Sequence, residues 1–338
     1  MELQLKNIGM IKEAIVKIDG LTVIAGENDT RKSTLGKALY LQLRFLLDLE
    51  KIQKNAKENK SLDIKEVKRA SILPKLIFDE QINNGDINLI INNINHHFII
   101  DNSDIYDKNN FKNKIENSIK LPIIIETPLV WNLNKFFNQM ANIQSQAGMF
   151  GDELSIDYPF LLKDLHFRLT VGINKKSYHI EDKIFSIING KFKKDELGNY
   201  YFEQKNKKIS LLNTATGIKY FGIFQVLSQN NYLNEDTVLI LDELEVHLHP
   251  KWQLELAKII VELVKNGVKI LVNSHSPYMI DALKYYADKE KINNNFYLTE
   301  KNRDETSNIS NVTMDISPIF EKLTEPLREL RKMKLGLK

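Results

Sequence analysis

The sequence predicts an α/β fold: a mainly parallel sheet with helices on both faces, opened by N-terminal antiparallel strands and interrupted by a helical insertion. Short apolar runs that read as buried strands, VLILDE at 238–243 and VKILVN at 268–273, alternate along the chain with longer helical stretches. A third apolar run, Leu21–Ala25, feeds a loop opened by Gly26 and then a helix, which is the setting a phosphate-binding loop requires. Before it, LQLKNIGMIKEAIVKIDG alternates apolar and polar residues through Ala14, Val16 and Ile18, the pattern of a hairpin.

The elements follow in order. A helix begins near Lys32 and runs through STLGKALYLQLRFLLDL. The stretch from about 50 to 180 is rich in Asn, Lys and Ile; KIQKNAKENKSLDIKEVKRA reads as an exposed charged helix or pair of helices, and NKFFNQMANIQSQ as another. Lysine runs of this kind are solvated helix faces. Residues 190–212 read as strands with a turn at Gly198-Asn199. LLNTATGIKYFGIFQVLSQ gives a turn and then a helix. Pro250 starts the helix PKWQLELAKIIVELVKNG, which Gly267 stops. Strand VKILVNSHSP, a helix to about Tyr286 and strand NFYLTE follow, and a last helix, SPIFEKLTEPLRELRKM, is interrupted or bent at Pro326.

Composition narrows the function. The 338 residues are 43% hydrophobic and 27% charged, enough for a sizeable core. A net charge of +3 is too small to imply nucleic acid by itself. The absence of cysteine excludes disulfides, zinc–cysteine sites and thiol catalysis. MELQLKNIGM has no signal-peptide apolar core, and no run approaches the roughly 20 apolar residues of a membrane span. The expectation is a soluble cytoplasmic protein.

The segment 26–33, GENDTRKS, fits the pattern G-x-x-x-x-G-K-[ST] at Gly26, Lys32 and Ser33 but has Arg31 where glycine is required. Residues Gly26, Glu27, Asn28, Asp29, Thr30, Arg31, Lys32, Ser33 and Thr34 are the candidate nucleotide-binding set, with backbone N–H groups and the helix N-terminus meeting the phosphates. Lys32 reaches the β- and γ-phosphates, and Ser33 ligates Mg2+. Gly-Glu-Asn-Asp also suits a plain turn before a helix. The strand VLILDE weighs against that, because it ends in Asp242, a second candidate metal ligand, and Glu243, placed to polarise an attacking water. His275 ends another buried strand and is placed to sense the γ-phosphate. TATGIK, with Thr216, Gly217 and Lys219, offers a second helix N-terminus, one more than a single triphosphate needs; two subunits sharing each nucleotide would account for it. His247 and His249 in EVHLHP suggest a metal, but no cysteine or third ligand is near, and a structural or interface loop is the better reading.

Taken together these motifs resemble the ABC-type ATPases, specifically the stand-alone AAA-family, AbiEii- or OLD-like branch related to RecF and SMC head domains. The resemblance covers residues 1–40 and 200–300. It makes Gly26–Ser33 the Walker A motif, Val238–Glu243 the Walker B motif, TATGIK the signature with Thr216 where serine often stands, ELEVHLHP the D-loop with Leu244 in place of proline, and NSHSP the switch-histidine motif. Gln139 is a candidate for the Q-loop glutamine. The resemblance implies one ATPase domain from residues 1–50 and 181–338, with 51–180 as its largely helical insertion. It implies ATP and Mg2+ as ligands and a head-to-head homodimer or higher oligomer, each nucleotide lying between one subunit's Walker motifs and the other's Thr216, Gly217 and Lys219. Several relatives serve antiphage defence. Only about fifty residues follow the helix after NSHSP, too few for a Toprim nuclease domain, so a separate effector, a nuclease or toxin, is expected. Basic stretches at Lys51–Arg69 and Lys191–Lys208 leave nucleic-acid binding open. Arg31 is the departure that matters: a side chain there crowds the phosphate approach, although arginine is itself a good phosphate ligand.

Overall fold

The computed structural model describes residues 1–57, 73–78, 84–101, 104–107, 119–149 and 159–335. In chain order the elements are β1 (Glu2–Ile8), β2 (Ile11–Lys17), β3 (Leu21–Gly26), α1 (Lys32–Lys57), α2 (Leu73–Phe78), β4 (Gly85–Ile91), β5 (Ile94–Asp101), β6 (Asp104–Asp107), β7 (Leu121–Ile125), α3 (Asn134–Met149), α4 (Phe160–Thr170), α5 (Glu181–Ile188), β8 (Lys191–Lys194), β9 (Tyr200–Gln204), β10 (Lys207–Ser210), α6 (Thr216–Gln229), β11 (Thr237–Asp242), α7 (Pro250–Lys265), β12 (Lys269–Ser274), α8 (Pro277–Lys289), β13 (Asn294–Lys301), β14 (Ser307–Asn311), α9 (Ser317–Leu323) and α10 (Glu325–Lys334).

Eleven strands form one sheet in the order β6-β5-β4-β1-β2-β14-β13-β3-β12-β11-β7. From β13 to β7 every neighbouring pair is parallel. From β2 to β6 the pairs are antiparallel, starting with the β1–β2 hairpin. The parallel strands β3 and β11 are buried along their whole length, which is why LTVIAG and TVLILD read as continuous rather than alternating apolar runs. Their side chains still divide by face. Ile24, Val238, Ile240 and Leu271 join the core under α1, built with Leu35, Leu39 and Leu43. Val23, Leu239, Leu241 and Val272 join the opposite core, built with helices α6, α7 and α8. A smaller sheet, β10-β9-β8, packs Phe192 against Trp131, with Phe202 behind it on Phe192.

The middle of the chain departs from a largely helical insertion. The described residues of 51–180 include α2, α3 and α4, but also four strands of the main sheet. β4 pairs antiparallel with β1 and extends the sheet outward through β5 and β6, while β7 pairs with β11 at the other edge. The cause is a period-2 pattern in GDINLIINNINHHFIID: Ile87, Leu89, Ile91, Phe98 and Ile100 are buried on one face. Asn92 and Asn93 turn the chain between β4 and β5 with φ of 50° and 65°. Residues 58–72, including most of the charged stretch at 51–70, lie outside the described residues. The last helix is divided as expected, α9 ending before Thr324 and α10 taking Pro326 in its first turn. No helix among the described residues is long and apolar enough to cross a membrane.

Candidate functional site

Four parallel strands, β7, β11, β12 and β3, end side by side. Their register sets Leu241 beside Ile125, Asp242 beside Asn273, and Ser274 beside Ala25. Glu126, Asp242, Glu243, Asn273, His275 and the Gly26 loop therefore meet at one edge, the carboxyl-end crevice where open α/β sheets bind ligands.

The loop from Gly26 to Arg31 is held tightly against β13. A Cβ on Gly26 would lie 2.2 Å from the Thr299 hydroxyl and 2.6 Å from the Thr299 carbonyl oxygen. Thr30, 2% exposed, turns its hydroxyl to that of Thr299 (2.7 Å) and to the Glu27 carbonyl (2.8 Å), so its side chain braces the loop rather than facing a ligand. Gly26→Ala is expected to cost about 1–3 kcal/mol of stability through overpacking. Denaturant unfolding checks this; an unchanged midpoint would mean that β13 yields freely.

Asp29 and Arg31 both have positive φ, 63° and 68°. At Arg31 the backbone thus takes the left-handed form that favours glycine. Its carbonyl accepts the N–H of Leu35 at 3.3 Å as α1 begins. Its guanidinium folds onto Asp29 (3.0 Å), which also binds Lys301 at 2.9 Å. Lys32 is 3% exposed and donates to the carbonyls of Gly26 (3.1 Å) and Glu27 (2.7 Å), with Glu243 at 3.3 Å. Asn28 is exposed at the tip, and Thr34 lies beside the β1–β2 turn at Gly9.

The acids divide by environment. Asp242 is buried, and burial raises its carboxyl pKa, while hydrogen bonds from Asn273 and Ser33 oppose the rise. Asn273 donates to Asp242 at 2.7 Å and to the Lys32 carbonyl at 3.0 Å, tying the Walker B strand to the start of α1. Glu243 sits in a left-handed turn (φ 51°), strain of the kind stored at functional sites. Its carboxylate lies 3.4 Å from His275 Nδ1. His275 chiefly, with Lys32, holds Glu243 down to about 2 against the effect of burial, so it is ionised at neutral pH. Glu243 in turn raises the His275 pKa.

Three further residues were not singled out from sequence. Glu126 follows β7, pairs with Lys37 at 3.2 Å, and has its pKa raised by burial and also by Asp242 nearby. Asn273 is fully buried, and Glu245 is 2% exposed. The acid ending the apolar run LPIII was a signal of the same kind as Asp242; only the neighbouring position of β7 gives it meaning.

Buried polar atoms without a partner gather here: Arg31 Nε, Asn273 Oδ1 and Glu245 Oε2. Buried polar groups are ordinarily satisfied, so such a cluster marks a place built for a polar ligand. Mg2+ takes one or two protein oxygens and completes its shell with water and phosphate. The Ser33 hydroxyl and Asp242 carboxylate, in mutual contact at the mouth of the loop, fit that requirement.

The signature residues are not brought to this loop. Thr216 is exposed at the first turn of α6, behind Ala215, which offers no side-chain cap. Gly217 is buried against Trp252 and Leu248, where a Cβ would come within 2.9 Å of the indole. Lys219, expected to act in trans, is 6% exposed, and its ammonium donates inward to Asn132 at 2.7 Å, because its position on α6 faces the Trp131 side of the helix. His247 stacks on Tyr220, and His249 caps α7 by accepting the Lys251 N–H at 3.3 Å. Gln139 lies exposed on α3. A groove of about 330 Å³ is lined by Asn7, Gly9, Met10, Ile11, Lys12, Asp304 and Thr306.

Residues 172–281 match the family model described as "AAA domain, putative AbiEii toxin, Type IV TA system". No curated protein matches the chain. Among solved structures, the SmcHead bound to the C-winged helix domain of ScpA has a TM-score of 0.53 at 12% identity, over 94% of this chain and 98% of that one. The Smc head domain with an extended coiled coil bound to the C-terminal domain of ScpA, from Pyrococcus furiosus, has a TM-score of 0.51 at 13% identity, over 98% and 99%. The chain thus has the fold of an SMC head domain.

Proposed function

We propose that this chain binds and hydrolyses ATP, dimerises around it, and so controls a separate effector protein in antiphage defence. The convergence of Lys32, the Ser33–Asp242 pair, Glu243 and His275 at adjoining strand ends carries this reading. The loop N–H groups and the N-terminus of α1 receive the phosphates, and Lys32 exchanges the carbonyls of Gly26 and Glu27 for phosphate oxygens. Ser33 and Asp242 would hold Mg2+, which neutralises charge across the phosphates when bound. Glu243, ionised beside His275, orients a water toward the γ-phosphate and accepts its proton. His275, shifted toward its protonated form by Glu243, donates to the same phosphate.

A second copy completes the site. The uncapped N-terminus of α6, exposed at Ala215 and Thr216 with Gly217 buried behind them, would meet a partner's nucleotide, whereas the inward Lys219 would not. The matching family model is described as a putative AbiEii toxin of a Type IV TA system; control of a separate effector in defence is our extension of those words. Titration with ATP and magnesium, followed by phosphate release and size-exclusion chromatography, tests the reading. Saturable binding with turnover and ATP-dependent dimers are expected; no binding would overturn it, and binding without turnover would leave a nucleotide-dependent scaffold.

One observation favours a DNA-clamping alternative. Register places Lys191, Lys193, Tyr201 and Lys208 on one face of β8–β10, around Glu203, with Lys208 over the Tyr201 ring. Steeply salt-dependent DNA binding would favour it.

A further inference from the structure

The short turn Leu244–His247 sends adjacent side chains in opposite directions: Val246 is 53% exposed and Glu245 only 2%. Glu245 Oε1 accepts the Ser274 hydroxyl at 2.5 Å and the His275 backbone N–H at 3.0 Å. The Ser274 hydroxyl in turn accepts the Ser276 N–H at 3.1 Å. The Ser276 hydroxyl donates to Gln253 Oε1 at 2.6 Å. The Gln253 amide closes the circuit by donating to the carbonyls of Glu245 (3.3 Å) and Leu248 (3.0 Å). Glu245, Ser274, Ser276 and Gln253 are all buried. The circuit joins the turn after β11, the loop after β12 and the first turns of α7 into one piece.

A carboxylate is a costly way to fill this space. Its Oε2 is buried without a partner, and packing alone would be served better by an apolar side chain. What the carboxylate provides is its grip on the backbone that carries His275. We propose that Glu245 is a positioning residue: it fixes the backbone at His275 and thereby the approach of the His275 ring to Glu243. This rests on the ATPase reading above for its consequence, but not for its geometry. The spacing at stake is the 3.4 Å between His275 Nδ1 and Glu243, with Glu245 itself 3.9 Å from the same nitrogen. Glu245 does not stand at the reacting atoms; it acts through His275.

Three variants test this. Glu245→Met keeps the volume and removes both acceptors, Glu245→Gln keeps one side-chain oxygen to accept both donors, and Glu245→Asp keeps the charge but withdraws the oxygens by one methylene. In the nucleotide-free protein, hydrogen exchange of the segment 274–279 is expected to quicken about tenfold, one factor per 1.4 kcal/mol, in the Met and Asp variants. It should stay near the parent rate in the Gln variant, with β13 unchanged in all three. In phosphate-release assays, Met and Asp should lower kcat by about a hundredfold, the effect of a misplacement near 1 Å, with KM unchanged. Glu245→Gln should recover most of the rate. Native exchange in both the Met and Asp variants overturns the proposal, as does a Gln variant that loosens as fully as Met. Should Met fail to fold, Asp decides alone, by the same criterion. A parent protein with no ATPase activity would sink the proposed function instead, leaving the exchange result to judge Glu245.

Discussion

Glu243→Gln is expected to lower ATP hydrolysis by about a hundredfold or more, the range for loss of a general base, while ATP stays bound. In the proposed function the two effects are separate. Binding would rest on the loop, Lys32 and the Ser33–Asp242 pair, none of which the substitution removes. Hydrolysis would rest on the Glu243 carboxylate, kept ionised by His275 and Lys32 at 3.4 and 3.3 Å. Glutamine preserves shape and hydrogen bonding but accepts no proton. With hydrolysis slowed, the ATP-bound dimer should accumulate and elute early in size-exclusion chromatography, while released phosphate falls. An unchanged rate would remove Glu243 from the chemistry. A slowed rate with no change in assembly would remove the shared nucleotide site.

The second large effect is expected at Arg31. Arg31→Gly should raise ATP affinity, turnover, or both. Arginine at φ 68° occupies a backbone form that costs a non-glycine residue roughly 1–2 kcal/mol. Glycine relieves that cost but gives back about 0.5–1 kcal/mol in chain entropy. The Arg31–Asp29 ion pair lost in the exchange has side chains 34% and 52% exposed, so it contributes little. Stability should therefore change only slightly. Affinity should change more, because without the side chain the loop N–H groups approach phosphate directly. One recovered charge-assisted hydrogen bond is worth roughly 1.5–3 kcal/mol, about tenfold to more than a hundredfold in Kd. Calorimetric titration of both proteins with ATP and magnesium reads the difference. Equal affinity and rate would place Arg31 outside the phosphate cradle, and weaker binding by the glycine form would make Arg31 a ligand.

Parts whose logic is local were legible in the sequence. Leu21–Gly26 followed by Lys32 and Ser33, the run Val238–Glu243, and the strand before His275 each carry their meaning within a few residues, because strand, loop and helix N-terminus are short-range structures. The hairpin of β4 and β5 was equally local, in alternating Ile87, Leu89 and Ile91 and the Asn92-Asn93 turn, yet it was masked by the Asn- and Lys-rich character of its surroundings. The rest depends on pairing across long separations. β7 lies beside β11 although more than a hundred residues intervene, and that alone sets Glu126 near Asp242. Lys219 turns inward because Asn132 and Trp131 come to meet α6. Glu245 is buried because Ser274 and His275, from another strand, reach its carboxylate. A charged residue reads as exposed in one dimension, since nothing local can repay its desolvation; its partners arrive only when the sheet is assembled.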